Sequence, residues 1–210
     1  MVYLIGGPPR SGKTSLAKTM SKKYSIPWVS TDMLEVVSGQ YMTKKQWFQT
    51  HPYSLLRRKL QSNDAFYGVL SSKKIVMVLR KQAVATFPAI DMATISEIND
   101  GNDYIVEGYH IEPSLVRELI QKYGAKNIRA IFLTKFDAKK FATDVHKSTT
   151  PNDWLLSGTK NLNTFVKVGE MVAYYSRFFE AEAKKHNFKV FNMDVNFKKQ
   201  LGAAVIFLRR

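Results

Sequence analysis

Apolar residues in this chain fall into two rhythms. Short runs at Val2–Ile5, Pro27–Ser30, Asp103–Glu107, Asn127–Leu133 and Lys189–Asn192 are bounded by glycine, proline or polar residues. Runs of this length read as strands of a buried parallel sheet. Between them the apolar spacing changes to three and four. Leu16, Ala17 and Met20 follow the first run. Ile75, Leu79, Ala83, Phe87, Ile90, Thr94 and Ile98 share one face of a long helical segment that Pro88 should kink. Leu162, Phe165, Val172, Tyr175 and Phe179 mark another long helix. Strands alternating with helices predict an α/β fold, a parallel sheet with helices on both faces.

Two segments stand outside this alternation. Residues 33–100 separate the second strand from the third, more chain than one crossover needs, so a helical insert is expected there. The stretch "HKSTTPNDWLLSGTKN", His146 to Asn161, is polar and punctuated by Pro151 and Gly158. It reads as part of a mobile lid over about residues 137–161. The whole of 1–210 then forms one domain, with its core in 1–32 and 101–210.

Composition narrows the class. No apolar run approaches the roughly 20 residues that span a bilayer, and the N-terminal run is too short for a signal peptide. The chain has no cysteine, which excludes disulfides and thiolate metal sites, and its four histidines are scattered. These features predict a cytoplasmic protein. A balance of 32 Lys+Arg against 17 Asp+Glu gives a formal charge of +15, which attracts anions without choosing among them. Most of these lysines read equally well as the solvated faces of helices.

The first strand leads into "GGPPRSGKTS", Gly6 to Ser15. From Gly7 to Thr14 the spacing is G-x-x-x-x-G-K-T, the phosphate-cradling P-loop of nucleotide triphosphatases. Backbone N–H groups of Gly7, Pro8, Pro9, Arg10, Ser11, Gly12 and Ser15, where present, face the phosphates in such a loop. Lys13 places a charge between the β- and γ-phosphates, and the Thr14 hydroxyl ligates magnesium. The strand before and the helix after supply the required context, and the helix N-terminus favours negative charge.

Two acids end strands, where ligands of open parallel sheets bind. Asp32, in "VSTDM", is placed to accept a proton from an acceptor hydroxyl; the plainer reading is a helix N-cap. Glu107 closes "YIVEGYHIEP" as the magnesium-holding acid of the second nucleotide motif does, or pairs with a lysine at the sheet rim. His110 either contacts substrate or hydrogen-bonds the rim.

In order along the chain, "GGPPRSGKTSLA", "STD", "RKQAVATFPAI" ahead of "YIVEGYHIEPSLV", an Asp137-to-His146 helix and "YYSRFFEAEAKKHNFKVFNMD" resemble the 2-phosphoglycerate kinases. Zeta-toxin-like and antibiotic phosphotransferases share the loop and the aspartate. The resemblance implies a sheet in the order 2-3-1-4-5, ATP and Mg2+, and a hydroxyl acceptor on a small anionic, phosphorylated metabolite. Lys13, Asp32 and Glu107, read from the motifs above, and Arg10 of the loop are the catalytic candidates. The chain departs from the family in its lid, which carries Lys139, Lys140, Lys147 and Lys160 where relatives carry arginines. Arg10 or Arg177 is then expected to replace the planar fork that lysine lacks.

For the acceptor, residues 33–81 hold nine basic side chains (Lys44, Lys45, Arg57, Arg58, Lys59, Lys73, Lys74, Arg80, Lys81) against Glu35 and Asp64. Arg80, at the family's "RQ"-like position, is the first candidate, with Arg57 and Arg58 behind it. A nucleic-acid 5′-end kinase is the alternative, with Tyr41, Trp47, Phe48 and Tyr53 stacking bases among the lysines. A nucleotide-dependent switch is the third class.

Overall fold

The structure, a computed structural model, describes residues 1–148 and 153–209. Its centre is a five-stranded sheet of β1 (Val2–Gly6), β2 (Trp28–Ser30), β3 (Tyr104–Glu107), β4 (Ile128–Thr134) and β5 (Lys189–Asn192). The strand order is β2-β3-β1-β4-β5 and every pairing is parallel. Strand bounds agree with the apolar runs to within a residue, as expected where both faces are covered.

Alternate residues of the strands enter two cores. Leu4, Val106 and Phe132 join a larger core with Ile90 of α6 (Ser72–Asn99), Val116 of α7 (Pro113–Tyr123), Phe141 of α8 (Ala138–His146) and Tyr175 of α10 (Leu162–Lys185). Ile5, Ile105 and Leu133 join a smaller one with Leu16 and Met20 of α1 (Lys13–Tyr24) and with Leu208 of α11 (Phe197–Arg209). Each such fully buried side chain contributes about 1.5–3 kcal/mol.

Residues 31–99 form α2 (Thr31–Gly39), α3 (Lys44–Thr50), α4 (Ser54–Leu60), α5 (Asn63–Val69) and α6. The first of these starts directly at the end of β2, and the long helix runs through Pro88 without ending. Its apolar face packs on the sheet and on α10, so α6 is the crossover helix and α2 to α5 are what the insert adds. One apolar residue departs from its expected place: Leu162, in the first turn of α10, is exposed. In the expected lid, Thr149, Thr150, Pro151 and Asn152 lie outside the described residues. Its remainder holds α8 and the short α9 (Trp154–Ser157).

Candidate functional site

β1 delivers the chain at Gly6 to the sheet's carboxyl edge, and α1 leaves from Lys13. The turn between them needs glycine at two places. Gly7 has φ +136°, and a Cβ there would lie 2.3 Å from the Leu133 carbonyl oxygen. Gly12, at φ +104°, precedes the first helical residue. Arg10 adopts the left-handed region as well. The resulting loop is a concavity of backbone N–H groups.

Its side chains fit a nucleotide triphosphate. Ser11 Oγ is buried and has no hydrogen-bond partner. Lys13 is buried with Nζ donating to the Pro8 carbonyl at 2.7 Å. Burial lowers the pKa of this ammonium, while Glu107 and Asp32 act to raise it. An orphan hydroxyl and a buried cation beside a helix N-terminus are groups that phosphate oxygens satisfy.

Thr14 Oγ1 donates to Glu107 Oε1 at 2.8 Å, which brings the two expected magnesium ligands together. Glu107 is buried, and burial raises its pKa against the lowering effect of Lys13 and of the Thr14 hydroxyl. Among the described residues no three His, Cys, Asp or Glu converge as a metal cage. One hydroxyl, one carboxylate and phosphate oxygens are the donor set magnesium takes beside a nucleotide.

Asp32 sits in the first turn of α2 with its side chain 70% exposed. It is not the helix cap. Ser30 holds that position, its hydroxyl accepting from Asp32 N at 3.1 Å. Asp32, Lys13, Thr14 and Glu107 all line one cavity of about 900 Å³. Around Asp32, His110 is wholly buried with Nδ1 2.8 Å from Thr31 Oγ1. Glu35, one turn further along α2, has Oε1 2.8 Å from His51 Nε2. His110 Nε2 lies 3.3 Å from the same oxygen, off the hydrogen-bonding direction. Burial pushes the Glu35 pKa up, but the two imidazoles outweigh it and bring it from 4.5 to about 2.

The structure distributes the arginine candidates differently from the expectation. Arg80 is turned away: its Nε donates to the buried Glu112 at 3.2 Å and its guanidinium lies 3.9 Å from the Phe178 ring centroid. Neither Arg80, Arg58, Arg177 nor His110 lines the cavity, whereas Arg57 does. Arg57 and Arg58 are neighbours on α4, so about 100° of helix separates them and only one can face inward. Arg10 lines the cavity and is ion-paired with Asp153, the N-cap residue of α9.

Several lining residues carried no motif. Lys135, just past β4, lines the cavity. Burial lowers its pKa, against Asp144 and Asp194. Its place at a strand's carboxyl end was the available signal. Ser54, Phe66, Tyr67 and Trp154 also line the cavity, and nothing in their spacing announced it. Of the rings considered for base stacking, Trp47 is stacked on His51 at 3.6 Å and Tyr53 lines the cavity, while Tyr41 is exposed.

No family model matches the chain, and no curated protein matches it. Among solved structures, a gluconokinase from Sinorhizobium meliloti is similar over 100% of this chain and 91% of its own, at 11% identity and TM-score 0.54. A sugar kinase from Janibacter covers 99% and 94%, at 11% identity and TM-score 0.54. A shikimate kinase from Bacteroides thetaiotaomicron covers 100% and 96%, at 13% identity and TM-score 0.52. At these identities the likeness is one of fold: the chain has the α/β, five-stranded parallel architecture of P-loop small-molecule kinases.

Proposed function

We propose that the protein is an ATP-dependent phosphotransferase, moving the γ-phosphoryl group to a hydroxyl of a small anionic metabolite. The observation that carries this reading is the cavity shared by Lys13, Thr14 and Glu107 at one end and the exposed carboxylate of Asp32 at its side. A switch would need the loop alone. A kinase needs a base beside the phosphate site and room for an acceptor, and the exposed Asp32 carboxylate in a cavity of about 900 Å³ supports that reading.

In this reading the loop N–H groups and Lys13 hold the triphosphate, Lys13 leaving the Pro8 carbonyl for the phosphate oxygens. Thr14 and Glu107 would hold Mg2+, which would supply positive charge against the phosphates during transfer. Asp32 accepts the acceptor's hydroxyl proton as its oxygen bonds to the γ-phosphorus and the bond to the bridging oxygen of ADP breaks. Arg10 and Lys135 add positive charge on the loop side, in a lid without arginines.

The sequence resemblance makes 2-phosphoglycerate the first acceptor to test. The experiment is incubation with γ-labelled ATP, Mg2+ and a panel of hydroxylated metabolites and 5′-hydroxyl oligonucleotides. Label in a metabolite, lost in a folded Lys13→Ala protein, supports the reading. Label on the oligonucleotide, or phosphate released only to water, overturns it.

A further inference from the structure

The insert supplies the far end of the cavity, and that end is poor in charge. Of the nine basic residues in 33–81, only Arg57 lines it. The other lining cations, Arg10, Lys13, Lys135 and Lys140, belong to the phosphate loop and to the chain after β4. On that side the wall is Tyr53, Phe66 and Tyr67 of the insert, Ile75, Val78 and Leu79 of α6 and Met171 of α10, with the His51 imidazole and the Gln82 amide as its other polar groups. A phosphate and a carboxylate on one small molecule bring close to three negative charges. Desolvating them against this wall with one cationic partner would cost several kcal/mol.

Arg57 is an exposed side chain at the rim of the cavity, held there by neutral neighbours. One of its terminal nitrogens donates to Asn63 Oδ1 at 2.7 Å, and its guanidinium carbon lies 4.7 Å from the Phe66 ring centroid and 5.6 Å from that of Trp154. Asn63 is itself fixed, its Nδ2 donating to the Trp154 carbonyl at 3.0 Å and to Thr159 Oγ1 at 3.1 Å. A guanidinium has five N–H donors in a fork that matches one carboxylate. Ser54, three residues before Arg57 and on the same face of α4, also lines the cavity. Its hydroxyl oxygen is buried and has no hydrogen-bond partner. Such a group is satisfied by a ligand's polar atom.

We infer that the acceptor is an alcohol with an apolar, ring-sized body and one anionic group, a carboxylate seated on Arg57 and within reach of Ser54. The body lies along the aromatic and aliphatic wall, and the hydroxyl points back to Asp32. This inference rests on the phosphotransferase reading for the hydroxyl, and on the cavity alone for the body and its charge.

The test compares two acceptor series by calorimetry in the presence of a non-hydrolysable ATP analogue and Mg2+, and by phosphoryl transfer with ATP. One series is 3- and 4-(hydroxymethyl)benzoate and mandelate; the other is glycerate and 2-phosphoglycerate. At least one aryl alcohol should bind tenfold or more tightly than either glycerate. That binding should fall about 10- to 100-fold in Arg57→Ala and in Arg57→Gln, with affinity for the ATP analogue unchanged. Tighter binding of 2-phosphoglycerate, absence of binding across the aryl series at millimolar concentration, or binding indifferent to both Arg57 variants overturns the inference. The two readings fail separately. Aryl alcohols that bind through Arg57 but accept no phosphate remove the kinase reading alone. Phosphorylated glycerates with no aryl binding remove this inference alone.

Discussion

Arg10 in the phosphate loop is ion-paired with Asp153, a residue 143 positions away whose side chain is only 1% exposed. The same carboxylate caps α9, accepting from Leu155 N at 3.0 Å. The pair therefore fastens the Gly7–Thr14 loop to the start of α9, whose Trp154 lines the cavity. Removing Arg10 leaves a buried carboxylate with its cap bond but no cation. Arg10→Ala should cost about 2 kcal/mol in urea unfolding, less than the roughly 3–5 kcal/mol lost when one member of a fully buried pair is removed, because the Arg10 side chain is partly exposed. In a double-mutant cycle with Asp153→Asn the coupling should exceed about 1 kcal/mol. Additive effects would show that the pair does not fasten the two segments.

Because Ser30 caps α2, the chemistry of Asp32 can be tested apart from helix stability. Asp32→Asn should lower turnover roughly 10²- to 10⁴-fold, the size of general-base assistance, with unfolding midpoint and ATP affinity nearly unchanged. Ser30→Ala should do the reverse, costing about 1 kcal/mol of stability through the lost cap. Turnover of Asp32→Asn within a few-fold of wild type removes Asp32 as the base.

Arg80 gives the converse prediction. Glu112 is buried and receives Arg80 Nε at 3.2 Å and the Tyr175 hydroxyl at 3.0 Å, with burial raising its pKa. Arg80→Ala should cost about 1–3 kcal/mol of stability by leaving this carboxylate under-satisfied. The acceptor KM should stay within twofold of wild type. A rise of tenfold or more in KM, with stability unaltered, would return Arg80 to the acceptor site.

The Glu35 carboxylate predicts an acid limit. Its pKa in the folded protein, about 2, is below its ordinary value of 4.5. The folded state therefore holds the ionised form more strongly than the unfolded chain does. The resulting stability is complete above pH 4.5 and is lost as pH falls through about 2. Its size is on the order of 2–3 kcal/mol. Glu35→Gln should be less stable than wild type at pH 7, and the difference should shrink between pH 4.5 and 2. A difference that stays constant over that range would show that the imidazoles do not hold Glu35 ionised.

What could be read in the residue order follows from how local each signal is. The strands were visible because an apolar run beside glycine has few other uses, and Lys13, Thr14 and Glu107 because their spacing to a strand end is part of the motif. Asp32 stands out as an acid at a strand end, whereas Ser30, two residues earlier, takes the cap through a hydroxyl contact that only the folded turn creates. Which of Arg80 and Arg57 faces the cavity depends on tertiary partners that no local pattern carries. Glu112 and Phe178 take the Arg80 guanidinium, while Asn63 and Phe66 hold Arg57 at the rim of the cavity. Asp153 was hidden for the same reason, since its partner is 143 residues distant.

The β2–β3 and β1–β3 registers set Glu107 opposite both Ser30 and Ile5. Glu107, the cap of the helix that carries Asp32 and the entry to the Gly7–Thr14 loop thus occupy one row across three strands, each about 4.8 Å from the next. Their spacing is inherited from the ladder of backbone hydrogen bonds, not from contacts among the side chains. A slip of one residue in β3 would turn Glu107 to the opposite face. Ile5 and Glu107, on the central strands β1 and β3, can shift relative to one another only if the centre of the sheet opens, an event close to global unfolding, whereas β2 and the helix it feeds lie at the edge. Amides of Ile5 and Glu107 should accordingly exchange with solvent among the slowest in the chain.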